Sequence, residues 1–306
     1  VWSRLTPRQR EVVRQSEAEE VDEEKQSIEE GVAQAMASVF GVTAEEIQQA
    51  LEEGNFALPG RPESGSRLLT ATEILNEDSL RRRLQERFDQ EVPEVIQQGF
   101  EVGLRRMDEF EAEGAFNPQD PLVQNAQRQL NAQATGITDA TRRRINEVIR
   151  IAQDDPSNSV QDVAEKITEE VEGMGALPQD DGKQSRAQRI AATTTQTGFE
   201  AGQMSAMREL GAVGRKWLST RDNRVRPGHL EADSEGQTVR LDQPFMVSPR
   251  AGRPQEARER LEFPGDPSGS PANVVNCRCT MLPILDEETY QDEQSSEPDL
   301  GDLPQL

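Results

Sequence analysis

The chain has 306 residues, of which 33% are hydrophobic and 4% aromatic, so one large apolar core spanning its whole length is excluded and small local cores joined by solvated helices are expected. Fifty-seven acidic residues against thirty-four basic ones give a formal net charge of -23, which repels a phosphate polymer from most of the surface, because nucleic-acid affinity rests on basic groups that release counterions. No run approaches the roughly 18 apolar residues that a membrane span needs, so no membrane partner is expected, and two cysteines exclude a disulfide scaffold.

The basic residues are skewed. Only Lys25, Lys166, Lys183 and Lys216 are lysines, and the other thirty are arginines. Abundant carboxylates with scarce lysine and few aromatics fit a protein built for high salt, where self-repulsion is screened over short distances. An acidic solvated surface encoded by a GC-rich genome is the plainer alternative.

In chain order, residues 1–58 read as acidic and helical. Glu17, Glu19, Glu20, Asp22, Glu23 and Glu24 form a solvated face or a loose arm. Ile28, Val32, Ala35, Met36, Val39 and Phe40 recur at helical spacing. Gly41 is expected to stop that helix, and Thr43 with Glu46 reads as a capping box opening a second one. Residues 54–69 are rich in Gly, Pro and Ser and read as a linker. A long helical stretch over about 70–112 follows, with Leu80, Leu84, Phe88, Val92, Ile96, Phe100, Leu104 and Met107 in one stripe. Pro93 predicts a kink or break inside it. Arg81, Arg82 and Arg83 are read as a solvated helix face rather than a binding patch.

Residues 113–135, rich in Asn, Gln and Pro, are expected to be irregular. A helix over about 138–153 ends at Asp154-Asp155-Pro156. Ser159 caps a shorter helix through Val160, Val163, Ile167 and Val171. A loop from Gly173 to Gln184 precedes a helix from about Ser185 to Leu210, with Ile190, Phe199, Met204 and Met207 as core contacts. Beyond Gly214 the long helical periods stop. Short β-prone pieces appear at Arg215–Ser219, Thr238–Leu241 and Phe245–Val247, separated by turns at Pro227-Gly228, Pro264-Gly265 and Ser268-Gly269. The last 21 residues carry eight acids and no basic residue, and are expected to be a disordered acidic tail.

The fold class is therefore α+β: a mostly helical N-terminal region followed by a small α+β C-terminal module. The expected divisions are an acidic helical arm and linker (1–69), a helical segment with an irregular tail (70–135), the α+β module with its leading helices (136–285), and the tail (286–306). The stripes at 28–40 and 80–107 are candidate partner surfaces or intrachain core.

The C-terminal module holds an ordered series of motifs. Trp217 is followed by Asp222-Asn223-Arg224-Val225-Arg226-Pro227-Gly228-His229, then Asp242-Gln243-Pro244-Phe245, Phe263-Pro264-Gly265-Asp266-Pro267 and Asn276-Cys277-Arg278-Cys279. In content and order this series resembles the phage Mu protein F-like head-morphogenesis family, also called minor head or minor capsid proteins. The resemblance is strongest over 216–281, where Trp217, Phe245 and Asn276 are motif core residues. It extends more faintly back to about Ile137. There, Ala192 and Thr194 stand where family members carry Arg and Glu after an Arg-Ile-Ala matched by Arg189-Ile190-Ala191. The resemblance implies a non-enzymatic, low-copy structural protein of a tailed virus, inside the capsid at or near the portal vertex. Its partners would be the portal protein, the major capsid protein or packaged DNA, and its roles head assembly and DNA packaging or ejection.

Three chemical readings accompany that resemblance. The first is a structural zinc site. Cys277 and Cys279 with His229, the only histidine, supply thiolate and imidazole donors, and Asp222 or Asp233 completes the shell. The plain alternative makes the cysteines small residues of a terminal strand with His229 hydrogen-bonded nearby; a disulfide between them would be strained. The second is a metal- or cysteine-dependent hydrolase in which His229 activates a thiolate and Asp222 orients the imidazole. The third is a basic island. Residues 211–260 hold ten Lys/Arg and seven Asp/Glu, a local net of +3, with Arg221, Arg224 and Arg226 clustered at the motif turn. Arginine forks suit phosphate and carboxylate alike, so the cluster serves either packaged DNA or internal pairing with Asp222 or Asp233, and the latter is favoured.

Overall fold

The structure is a computed structural model that describes residues 7–59, 64–107, 114–153, 158–176 and 184–295. It is α+β, with helices in front and a small strand-and-helix module behind. The chain divides into two compact units that are not consecutive stretches: Val1–Ile28 with Val92–Gln129 and Ala192–Leu306, and Glu29–Glu91 with Leu130–Ala191. Among the described residues, no helix is long and apolar enough to cross a membrane.

The first helix, α1, runs unbroken from Pro7 to Glu53. Gly41 does not stop it, and Thr43 is not a cap. The Thr43 hydroxyl donates to the Val39 carbonyl one turn back (2.7 Å), and Glu46 accepts from Arg83 instead. The glycine is tolerated because Val39, Phe40, Ala44 and Ile47 are buried on either side of it. The acidic run is not a loose arm. Ala18, Val21, Asp22 and Lys25 form its buried edge, and Glu19, Glu20 and Glu23 stay in solvent.

In the second unit, the described residues of the expected linker, 54–59 and 64–69, are anchored rather than free. Strands β1 (Phe56–Ala57) and β2 (Arg67–Leu68) pair in parallel, because Phe56, Leu58 and Leu69 are apolar enough to bury. After the short α2 (Ala71–Ile74), helix α3 (Glu77–Arg106) passes through Pro93 without a break. The stripe from Leu80 to Phe88 in this unit, and from Val92 to Phe100 and Met107 in the other, is buried, as are Val32, Met36, Val39 and Phe40. These stripes are core and are not available as partner surfaces. Arg83 grips Glu46 through two hydrogen bonds of 2.6 and 2.8 Å, and Arg81 and Arg82 reach Asp78 and Glu86 on their own helix.

Helix α4 (Pro121–Gln153) replaces the irregular segment expected at 121–135. Leu122, Val123, Ala126, Leu130, Ala134 and Ile137 bury one face, and that periodicity outweighs the modest helix cost of the intervening Asn and Gln. Ser159 caps α5 (Val160–Gly175) as expected, through a reciprocal box with Asp162. Helix α6 (Arg186–Glu209) follows. The breaker Asp154-Asp155-Pro156, the loop residues 177–183 and the tail beyond 295 lie outside the described residues.

In the first unit, α3 and α6 meet through glycines. A Cβ on Gly99 would lie 2.1 Å from the Phe199 carbonyl oxygen, and one on Gly202 would lie 2.0 Å from that of Ile96. Small residues four apart on each helix let the backbones come into contact. Behind them β3 (Gly214–Leu218) lies between β4 (Thr238–Arg240) and β7 (Thr280–Ile284), antiparallel to both. A hairpin-like pair, β5 (Phe245–Val247) and β6 (Glu259–Leu261), stands beside short helices α7 (Pro227–Ser234) and α8 (Pro271–Val274). The acidic tail does not begin at 286, because α9 (Glu287–Ser295) is ordered. Its Tyr290 is buried against the start of β3, and its Glu293 accepts from Lys216 (2.5 Å) and pairs with Arg14.

Candidate functional site

The motif residues converge on the central strand. Trp217 on β3 is fully buried, with its ring edge-on to His229 (centroids 5.4 Å, 89°) and to Phe245 (5.3 Å, 79°). Arg215, two residues earlier on the same strand and equally buried, donates to the carbonyls of Leu241 and Gln243 (2.8 Å for the latter) and lies over the Phe245 ring. It therefore holds the Asp-Gln-Pro-Phe segment on the sheet, and burial pulls its pKa down to about 10.

Beyond β3 the chain turns at Arg221, whose φ of 53° is unusual for a side-chain-bearing residue. The turn is held by Asp233 on α7. That carboxylate accepts from Arg221 Nε (2.8 Å) and Nη2 (3.2 Å) and from the Ser219 hydroxyl (2.6 Å). Asp222 accepts from Arg224 Nε (3.2 Å) and from Arg278, and Arg226 donates to the Val275 carbonyl. Each arginine of the motif-turn cluster thus has a protein partner.

Pro227 opens α7, where its missing N–H costs nothing, and His229 falls in the first turn. Gly228 is required there by close approach: a Cβ would sit 1.9 Å from the Ser248 carbonyl oxygen. The imidazole is almost fully buried. Its Nε2 lies 3.0 Å from Asn273 Oδ1 on α8, and Asn273 Nδ2 donates to the Val247 carbonyl (3.4 Å). That second bond orients the amide, so the oxygen faces the ring and Nε2 carries the proton. The orienting group is Asn273, not the Asp222 of the hydrolase reading.

After α8, Asn276 takes a left-handed φ of 56°, which Asn tolerates better than most residues, and its amide reaches the Thr193 hydroxyl. The chain then runs extended into β7. Alternation sends Cys277 and Cys279 to one side and Arg278 to the other. Both thiols are free, buried and aimed at His229 Nδ1, at 3.7 Å from Cys277 Sγ and 3.5 Å from Cys279 Sγ. The donor atoms of these three residues all lie within 4.8 Å of one another. A hydrogen bond from Cys279, aided by the imidazole, drives the Cys277 thiol well below its ordinary pKa, and burial drives Cys279 up. Asp222, the expected fourth donor, is outside this group, because Arg278 and Arg224 hold its carboxylate.

A second cluster has no counterpart in the sequence reading. Lys25 on α1 donates to Glu200 (2.5 Å), Gln196 (2.8 Å) and the Cys279 carbonyl (3.2 Å), all buried. Gln196 also donates to the carbonyls of Cys279 (2.7 Å) and Pro264 (3.0 Å), and Thr197 donates to that of Gly265 (2.7 Å). The Pro-Gly-Asp-Pro loop and the Cys-Arg-Cys strand are therefore fastened to α6. Arg106 extends the network to Gln203 (2.7 Å) and the Met281 carbonyl (3.1 Å). Burial raises the Glu200 pKa, and Lys25 only partly opposes it. The available signal was five polar residues in a row, Thr193 to Thr197, which lie in the buried part of α6.

The family model described as Phage Mu protein F like protein matches residues 158–282, from the cap of α5 into β7. Over this stretch the chain is similar to that family. No curated protein and no solved structure matches the chain. The matched stretch contains every motif on which the resemblance rests, and the family is one of phage head morphogenesis, structural rather than typically enzymatic. The similarity points to a virion protein associated with other capsid components.

Proposed function

We propose that the chain is a minor head protein of a tailed virus, seated in the capsid interior at or near the portal vertex, where it contacts the portal protein or the major capsid protein during head assembly. The observation that carries this reading is the F-like match over 158–282, which spans α6 and the motif-bearing sheet as one block. The use of the motif residues and of the side chains packed around them supports it. Trp217 and Phe245, with Arg215, Asp233 and Gln196 beside them, all brace the domain, as befits a rigid docking element rather than a turnover site. Partner contact then falls to polar surface, because the apolar stripes are consumed by the core and Val12, Val42, Leu68, Ile151 and Val275 are the large exposed apolar side chains among the described residues.

Packaged DNA as the principal partner has no comparable support. Arg221, Arg224 and Arg226 are occupied, and the overall charge of -23 opposes a polyanion. Mass spectrometry of purified virions, with cross-linking, tests the proposal. The expected result is a chain present at far lower copy number than the major capsid protein and cross-linked to the portal. Absence from mature particles and from assembling heads would overturn it.

A further inference from the structure

We propose that His229, Cys277 and Cys279 bind one Zn²⁺ ion, which staples helix α7 to the strand entering β7. The inference is independent of the virion reading.

Geometry carries it first. Zinc bonds of about 2.3 Å to sulfur and 2.0–2.1 Å to nitrogen, at tetrahedral angles, put sulfur and nitrogen roughly 3.6 Å apart. The two Nδ1–Sγ separations, 3.7 and 3.5 Å, bracket that edge. With Nε2 committed to Asn273, Nδ1 presents its in-plane lone pair toward both sulfurs. A cation between the three atoms satisfies them together.

The surroundings fit as well. A ligating imidazole ordinarily donates its other N–H to an oxygen that fixes the ring, and Asn273 Oδ1 takes that place. Zn²⁺ with two thiolates and a neutral imidazole has no net charge, and the protons that the thiols carry before binding pass to solvent. A neutral cluster suits a site in which all three donor residues are almost fully buried. Thiolate with imidazole selects zinc over the hard, oxygen-seeking divalent ions. The fourth position falls to a solvent oxygen, since Asp233 and Asp222 are engaged by arginines. Trp217 against the imidazole, and Asn273 on α8, transmit the staple into a domain with little apolar material of its own.

The test uses the full chain purified without chelator, together with Cys277→Ser, Cys279→Ser and Asn273→Leu. Elemental analysis is expected to find about one zinc per wild-type chain. After metal removal, Co²⁺ titration should give tetrahedral visible bands and a thiolate charge-transfer band saturating at one equivalent. Both serine variants should lose that band, and Asn273→Leu should weaken metal affinity by about ten- to hundredfold while retaining it. Should the serine variants fail to fold, the wild-type cobalt spectrum decides alone. A folded wild-type chain with reduced thiols that holds no zinc and gives no thiolate–cobalt band overturns the proposal, as does full metal content in either folded serine variant, or a clear preference for Cu(I).

Discussion

The crossing of α3 and α6 offers the sharpest test of the fold, through Gly202→Ala. Two effects of similar size oppose each other. Alanine is favoured over glycine inside a helix by about 1 kcal/mol. Against that, the added Cβ would lie 2.0 Å from the Ile96 carbonyl oxygen and 2.6 Å from the Phe100 amide nitrogen, closer by 1.0 Å than the 3.0 Å below which real contacts essentially never fall. Overpacking of this kind costs roughly 1–3 kcal/mol. The upper part of that range applies, because the obstacle is backbone on a second helix rather than a side chain that can rotate away. Gly99 is as close, 2.1 Å from the Phe199 carbonyl oxygen, while Gly103 and Gly198 face side-chain atoms at 2.8 and 2.9 Å. A net loss of about 1–2 kcal/mol is expected, which lowers a urea midpoint by about 0.5–1 M for an m-value of ~2 kcal/mol/M. Gly31→Ala and Gly136→Ala are the controls. Both glycines lie within helices with nothing inside 4 Å of the added carbon, so each should stabilise by about 0.5–1 kcal/mol. Urea unfolding followed by far-ultraviolet circular dichroism compares the three. If Gly202→Ala is as stabilising as the controls, the close crossing is wrong.

Lys25→Met should destabilise by about 3–5 kcal/mol, because it leaves the Glu200 carboxylate buried without its cation; Lys25→Met with Glu200→Gln should recover a large part of that loss in chemical denaturation. The pH response has a definite sign at Glu46. Its hydrogen bonds from Arg83 hold its pKa below the ordinary 4.5, so the stability it contributes is present above pH 4.5 and is lost as pH falls through the depressed value. The stability gap between wild type and Glu46→Gln, measured by urea midpoint, should therefore close on acidification below that point; a gap constant with pH would contradict the assignment. Glu200 runs the other way: burial raises its pKa, so its contribution is complete below 4.5 and fades as pH rises through the raised value. Finally, a charge of -23 with four lysines predicts loss of helical circular-dichroism signal when the chain is moved from molar to low salt. An unchanged spectrum counts against high-salt adaptation.

Elements governed by local rules were legible in the sequence, and elements settled by distant contacts were not. The Ser159 cap, α6 and strands β3 to β5 follow from side-chain chemistry within a few residues, and they stand close to where the sequence puts them. Gly41, Pro93 and the Asn/Gln-rich 121–135 were read as breaks because each weakens an isolated helix. All three lie in continuous helices whose apolar residues are buried on both sides of the weak point, and packing of that kind outweighs a propensity cost of about a kilocalorie. Tyr290 explains the ordered start of the tail in the same way, since one aromatic ring and the buried Glu293 overcome the charge of the segment around them. The Gly99/Gly103 and Gly198/Gly202 spacings were visible in the sequence, but nothing local says that the two pairs face each other.

At the candidate site, the Cys-x-Cys spacing and the shared motif set make His229, Cys277 and Cys279 candidates together, but only the structure brings their donor atoms within 4.8 Å of one another. Asn273 escaped notice because it lies 44 residues from His229 and gives no signal of its own. Asp222 was drawn into the ligand set by its closeness to His229 in sequence. Its carboxylate instead belongs to the opposite side of the extended segment leading into β7, where Arg278 also donates to Asp22 on α1 (3.1 Å through Nε). The tripeptide therefore sorts its chemistry by face: sulfur toward the imidazole, guanidinium toward two carboxylates. A shift of one residue in that extended segment would exchange them, placing a cation beside the imidazole and two thiols among acids. The buried Lys25 and Gln196, which both donate to the Cys279 carbonyl, guard against that shift by fixing the backbone between the two faces.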